Sequence, residues 1–171
     1  MRRMSNADEM LELARSRTEE LAAPGLDPRP RRRVAVLTCM DSRLDVAQML
    51  GIERGDAHVI RNAGGLVTDD ALRSLSISQH LLGTEEIIVV MHENCGLQGA
   101  TEEELVSKLA AGGSPPPWPV GAFSDLERTL AENLALLRSS AHLRVRDSIR
   151  GFVFDPESGT LSEVGYRPAD D

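Results

Sequence analysis

Two stretches decide the fold: Val34-Ala35-Val36-Leu37-Thr38-Cys39-Met40-Asp41-Ser42-Arg43 and Ile87-Ile88-Val89-Val90-Met91-His92-Glu93-Asn94-Cys95-Gly96. Each opens as a short apolar run of the kind found in strands buried on both faces. Each then stops at side chains that ionise or bind metals. Between them the pattern alternates. Leu44 to Leu50 is helical and closed by Gly51, Ala57 to Arg61 is a second strand, and Thr68 with Asp69 and Asp70 caps a helix running through Leu82 to Gly83. Strand, helix, strand, helix implies a parallel sheet covered by helices.

Outward from this centre, Thr101…Glu104 and Ser124…Glu127 are capping boxes that predict helices near 102–111 and 125–138. Gly112-Gly113-Ser114-Pro115-Pro116-Pro117-Trp118-Pro119 lies between them and excludes helix or central strand. It predicts a Pro-rich surface loop over 112–123, anchored by Trp118, in preference to a polyproline ligand for another domain. Gly151 to Asp155, a Pro-Glu-Ser-Gly turn and Thr160 to Val164 predict a hairpin at the sheet edge. At the other end, Ser5 and Asp8 open a helical stretch to about Ala22, with Met10, Leu13 and Leu21 on one side, stopping at Pro24-Gly25. That stretch predicts a helical docking arm over 1–27. The expected fold is α/β in a single domain over 1–171. Its central sheet is mainly parallel, with four to five strands in order 2-1-3-4 and a hairpin strand at the edge.

Composition narrows the function. With 171 residues there is length for one domain and a sizeable core. A net charge of −8 argues against a nucleic-acid partner, which calls for a basic surface, and makes Pro28 to Arg33 a solvated linker rather than an anion patch. Lys108 is the only lysine and sits in a helical run, so amine chemistry is out of contention. No apolar run reaches signal-peptide or membrane-spanning length, so the expectation is a cytoplasmic protein with no membrane partner. A reducing cytosol would keep Cys39 and Cys95 as free thiols.

Cys39 follows the first strand directly, and His92 and Cys95 follow the third. Those are carboxyl ends of parallel strands, where open α/β sheets place their sites. With strands 1 and 3 adjacent, the topology joins residues far apart in sequence. Two thiolates and an imidazole suit Zn²⁺, one per chain, and three ligands leave a fourth position for water, substrate or a carboxylate. His58, His80 and His142 are expected to be ordinary satisfied imidazoles. Asp41 can supply the carboxylate as a fourth ligand in a closed state, while Arg43 can hold it away through a bidentate pair. The bland alternative makes Asp41 a helix cap.

Cys39-Met40-Asp41-Ser42-Arg43, Arg61-Asn62-Ala63-Gly64 and His92-x-x-Cys95-Gly96 resemble the motifs of the β-class carbonic anhydrases, in the same order and spacing. The resemblance runs from about Val34 to Gly96, and the closing hairpin resembles the end of the short members. It implies reversible hydration of carbon dioxide to bicarbonate by zinc-bound hydroxide, with Cys39, His92 and Cys95 as metal ligands and Asp41 and Arg43 as catalytic residues. The Gly96 amide would hold a substrate oxygen. It also implies a homodimer or a dimer of dimers, with the arm lying across a neighbouring subunit. The Arg61 to Gly65 turn stays open between a plain connection and a wall of the site. Glu93 departs from the family, which commonly has Thr there. All five aromatic residues lie at or after Trp118, so the motif-bearing part has none to line a pocket. Two rivals follow: a carbonyl sulfide or carbon disulfide hydrolase on the same zinc site, and a non-catalytic zinc or redox-sensing module.

Overall fold

The structure is a computed structural model and describes residues 4–164. Its strands are β1 (Val34–Cys39), β2 (Ala57–Asn62), β3 (Glu86–His92), β4 (Ile149–Asp155) and β5 (Thr160–Val164). They form one sheet in the order β2-β1-β3-β4-β5. The first four are mutually parallel and β5 returns antiparallel along β4, pairing Val153 with Ser162. The order and the edge hairpin expected from sequence are therefore observed.

Alternation along the central strands sorts side chains to two faces. Ala35, Leu37, Val89 and Met91 point to one face. There they pack under Leu75 of α4 (Asp69–Leu82) and Leu130, Leu134 and Leu137 of α6 (Leu126–Ser139). Val36 and Val90 point to the other, against Val46 of the short α3 (Val46–Leu50) and Phe152. The first crossover thus passes one face and the second the opposite face, which opens the crevice between β1 and β3.

Several boundaries differ from the sequence expectation. Helix α3 starts two residues late: Asp45 caps it by accepting from the Gln48 amide, and Leu44 is buried just before it. Helix α6 is capped by Asp125, not Ser124, because the Asp125 carboxylate accepts from the Arg128 amide and suits the positive end of the helix. The arm breaks at Arg17 into α1 (Asn6–Ser16) and α2 (Thr18–Leu21). Neither piece contains a buried residue, and Met10 and Leu13 are exposed. Helix α5 (Glu102–Ala110) has the expected Thr101–Glu104 capping box. Trp118 does not anchor the Pro-rich loop: it is 57% exposed, and Phe123, 8% exposed, is the buried ring there. Phe123 is held by backbone pairing with Leu97 and Gly99. Tyr166 lies outside the described residues. Among the described residues, no helix is long and apolar enough to cross a membrane.

Candidate metal centre

β1 delivers Cys39 and the adjacent β3 delivers His92 to the same end of the sheet, and the turn after β3 returns Cys95. Asn94 makes that return possible with a left-handed backbone at φ 56°. The Sγ atoms of Cys39 and Cys95 and a ring nitrogen of His92 lie within 4.8 Å of one another, and all three residues are buried. Both cysteines are free thiols. His92 Nδ1 lies 2.9 Å from the Glu93 carbonyl, which can only accept, so Nδ1 carries the proton and Nε2 keeps its lone pair. Nε2 is buried with no hydrogen-bond partner. An orphaned imidazole nitrogen beside two thiols is the donor set expected of a zinc site, and the group fits one such ion. Burial is the main influence pushing the Cys95 thiol up, reinforced by Cys39; a bound cation would oppose it.

Asp41 stands beside these three. Its Oδ2 is 3.8 Å from His92 Nε2. Both its oxygens are engaged by Arg43: Nε donates to Oδ1 at 3.0 Å and Nη2 to Oδ2 at 2.9 Å, while the Arg43 amide donates to Oδ1 at 2.9 Å. The side-chain bonds from Arg43, followed by its amide, hold the Asp41 carboxyl far below the usual carboxylate range. Arg43 Nη2 also donates to the Asn94 carbonyl at 2.9 Å, tying the Cys39 loop to the Cys95 loop. Asp41 does not cap α3; Asp45 does. Gly96 is exposed next to Cys95, and nothing stands within 4 Å of where a Cβ would be. The Glu93 side chain is exposed.

Arg61 contributes more than a connection. From β2 its Nε donates to the Cys39 carbonyl at 2.9 Å and Nη2 to the Asp41 carbonyl at 2.7 Å, bracing the loop from both ends. Sequence marked the residue but gave no signal of this grip, which spans two strands. The Ala63–Gly65 turn then closes against both central strands. At Gly65, φ is +66° and a Cβ would come within 3.0 Å of Cys39 N, 3.1 Å of the Thr38 carbonyl carbon and 3.1 Å of Val90 O. Only glycine fits there. Two of the other histidines are satisfied elsewhere: His58 bonds Ser78 and the Pro28 carbonyl, and His80 bonds the His142 carbonyl.

A doubly wound sheet with a Cys-His-Cys group at its switch point defines an α/β protein equipped to hold one metal ion. The carbonic anhydrase family profile matches residues 34–112. β-Carbonic anhydrase 1 of Mycobacterium bovis is 43% identical over 136 residues, covering 79% of this chain and 83% of that protein. The crystal structure of carbonic anhydrase from Streptococcus mutans superposes with a TM-score of 0.89 at 38% identity, covering 96% of this chain and 100% of that one. A carbon disulfide hydrolase of Acidithiobacillus thiooxidans is 35% identical over 157 residues, covering 80% of this chain and 79% of that protein. The chain belongs to the β-carbonic anhydrase family. That membership supports carbonate dehydratase activity with zinc as the cofactor of the family, and Cys39, His92 and Cys95 are the group that could bind one ion.

Proposed function

We propose that this protein catalyses the reversible hydration of carbon dioxide to bicarbonate and a proton, with Cys39, His92 and Cys95 holding one Zn²⁺. The observation that carries the proposal is the Asp41–Arg43 pair locked bidentately beside an orphaned His92 Nε2. Zinc, when bound, supplies a Lewis acid that makes water nucleophilic near neutral pH. Asp41 remains ionised and accepts a hydrogen bond from the attacking water, orienting it towards the substrate carbon. Arg43 engages both oxygens of that carboxylate, so Asp41 would be held as a hydrogen-bond acceptor rather than spent as a ligand. The Gly96 amide donates to a substrate oxygen as charge develops on it, and the absence of a Cβ leaves room for that approach. The proton leaves to buffer. Because Asp41 has both oxygens engaged by Arg43, a permanently closed, non-catalytic zinc module is disfavoured.

The protein acts as a homodimer or dimer of dimers in the cytoplasm. The arm supports this: Met10 and Leu13 are 70% and 56% exposed on a helix with no buried residue, a surface suited to a second copy. Two soft-metal thiols suit a reducing compartment.

A carbon disulfide hydrolase relative, covering most of both chains, supports a second reading: hydrolysis of carbonyl sulfide or carbon disulfide on the same site. Stopped-flow assays on the zinc-loaded chain, with carbon dioxide, carbonyl sulfide and carbon disulfide in parallel, separate the readings. Carbon dioxide is expected to be the preferred substrate by kcat/KM. Preference for a sulfur compound would establish the second reading, and no turnover of any of them would establish a non-catalytic module.

A further inference from the structure

One half-buried acid has no place in that chemistry. Glu102, the first residue of α5, accepts three consecutive backbone amides from a distant segment: Val120 N–H at 2.5 Å, and Gly121 and Ala122 N–H at 3.0 Å each. These bonds, from Ala122 and Val120 foremost, hold its carboxyl below the ordinary range. Among the described residues no cation pairs with it. The segment it grips needs such a fixed point, because 112–121 forms neither helix nor strand and Pro115, Pro116, Pro117 and Pro119 bring no N–H of their own.

The clamp holds this segment against the site's own scaffold. Gly121 has φ +86°, and a Cβ there would lie 2.5 Å from Leu66 Cδ1, so the segment rests directly on Leu66. Leu66 is bonded to Asn62 through both its amide and its carbonyl, and the Asn62 carbonyl accepts from Met40, the neighbour of Cys39. On the far side, Phe123 pairs with Leu97 and Gly99 in the loop after Cys95. Between the segment and the turn is a cavity of about 790 Å³, with Trp118 and Val120 on one wall and Asn62 and Leu66 on the other. The turn brings Ala63, Leu66 and Val67 to this cavity and the segment brings Trp118, its one aromatic side chain.

We propose that Glu102 is a positioning residue: its clamp on Val120, Gly121 and Ala122 holds the Trp118 wall against the Asn62–Leu66 turn and so sets access for a small neutral substrate. The substrate half of this proposal rests on the proposed function. The clamp half does not, and Trp118, the only tryptophan in the chain, reports it directly.

The test compares wild type with Glu102→Ala and Glu102→Gln, zinc-loaded and full-length, by acrylamide quenching and anisotropy of Trp118 and by KM and kcat for carbon dioxide. Trp118 is already 57% exposed, which leaves room for only a modest rise in quenching. Glu102→Ala should raise quenching roughly 1.5-fold, lower the anisotropy, and raise KM roughly 3- to 10-fold with kcat within roughly twofold. Glu102→Gln keeps one accepting oxygen and should fall between; it carries the test if Glu102→Ala does not fold. Unchanged quenching and anisotropy in a folded variant overturn the clamp. Altered quenching with unchanged KM, or a fall confined to kcat, overturns the role in substrate access. A wild type without carbon dioxide turnover defeats the proposed function, while Trp118 still judges the clamp.

Discussion

Gly65→Ala separates packing from backbone strain at the point where the turn closes on β1, the strand that ends at Cys39. At φ +66° an L-residue costs about 1–2 kcal/mol. The new methyl would also stand 3.0–3.1 Å from three backbone atoms of β1 and β3, none of them a flexible side-chain end. Overpacking of that kind costs about 1–3 kcal/mol, so the total is about 2–5 kcal/mol. Gly83→Ala is the matched control. Its φ is +74°, but nothing lies within 4 Å of the added methyl, so it carries only the backbone cost. Urea unfolding of wild type and both variants, at one pH and with zinc loaded, gives the two differences directly. Gly65→Ala should be the more destabilised by more than about 1 kcal/mol. Equal losses would refute the claim that the turn is packed against Cys39 and Val90 without room for a side chain.

Arg61→Ala removes both braces on the Cys39–Asp41 loop and should weaken zinc affinity about 10- to 100-fold in chelator competition, with Arg61→Lys recovering only part of it. Thr38 is fully buried and its hydroxyl has no hydrogen-bond partner, so Thr38→Val should raise the urea midpoint, by about 1 kcal/mol of stability; a lowered midpoint would show that the hydroxyl is bonded. Acid should destabilise the fold through carboxylates whose pKa is depressed on folding, among them Asp56, Glu102, Asp155 and Glu163. Their stabilisation is complete above the unfolded values of 3.8 to 4.5 and is lost as pH falls through the lower folded ones. The urea midpoint should therefore drop between pH 5 and pH 3, and a constant midpoint would contradict it.

What sequence made legible was what is local. The apolar runs ending at Cys39 and at His92 fixed two strands and the end of the sheet where their last residues meet, because strand register leaves little choice once β1 and β3 are neighbours. The bidentate Asp41–Arg43 pair was within reach of spacing alone. The grip of Arg61 on Cys39 and Asp41 was not, since it crosses from β2 to residues 20 and 22 positions earlier. Glu102 stands in the first turn of α5, where any acid favours the dipole, so nothing local marks its partners, which lie 18 to 20 residues away. Trp118 misled through its bulk. The burial it suggested falls to Phe123, whose backbone can pair with the Cys95 loop.

The most direct test of the central claim is the zinc content of the purified protein beside that of Cys95→Ser, measured as metal per chain. The wild type should carry one zinc per chain, and the variant should lose it, because one of three converging ligands has become a hydroxyl. A wild type without stoichiometric zinc, or a Cys95→Ser protein that retains its full complement, would contradict the metal centre proposed for Cys39, His92 and Cys95.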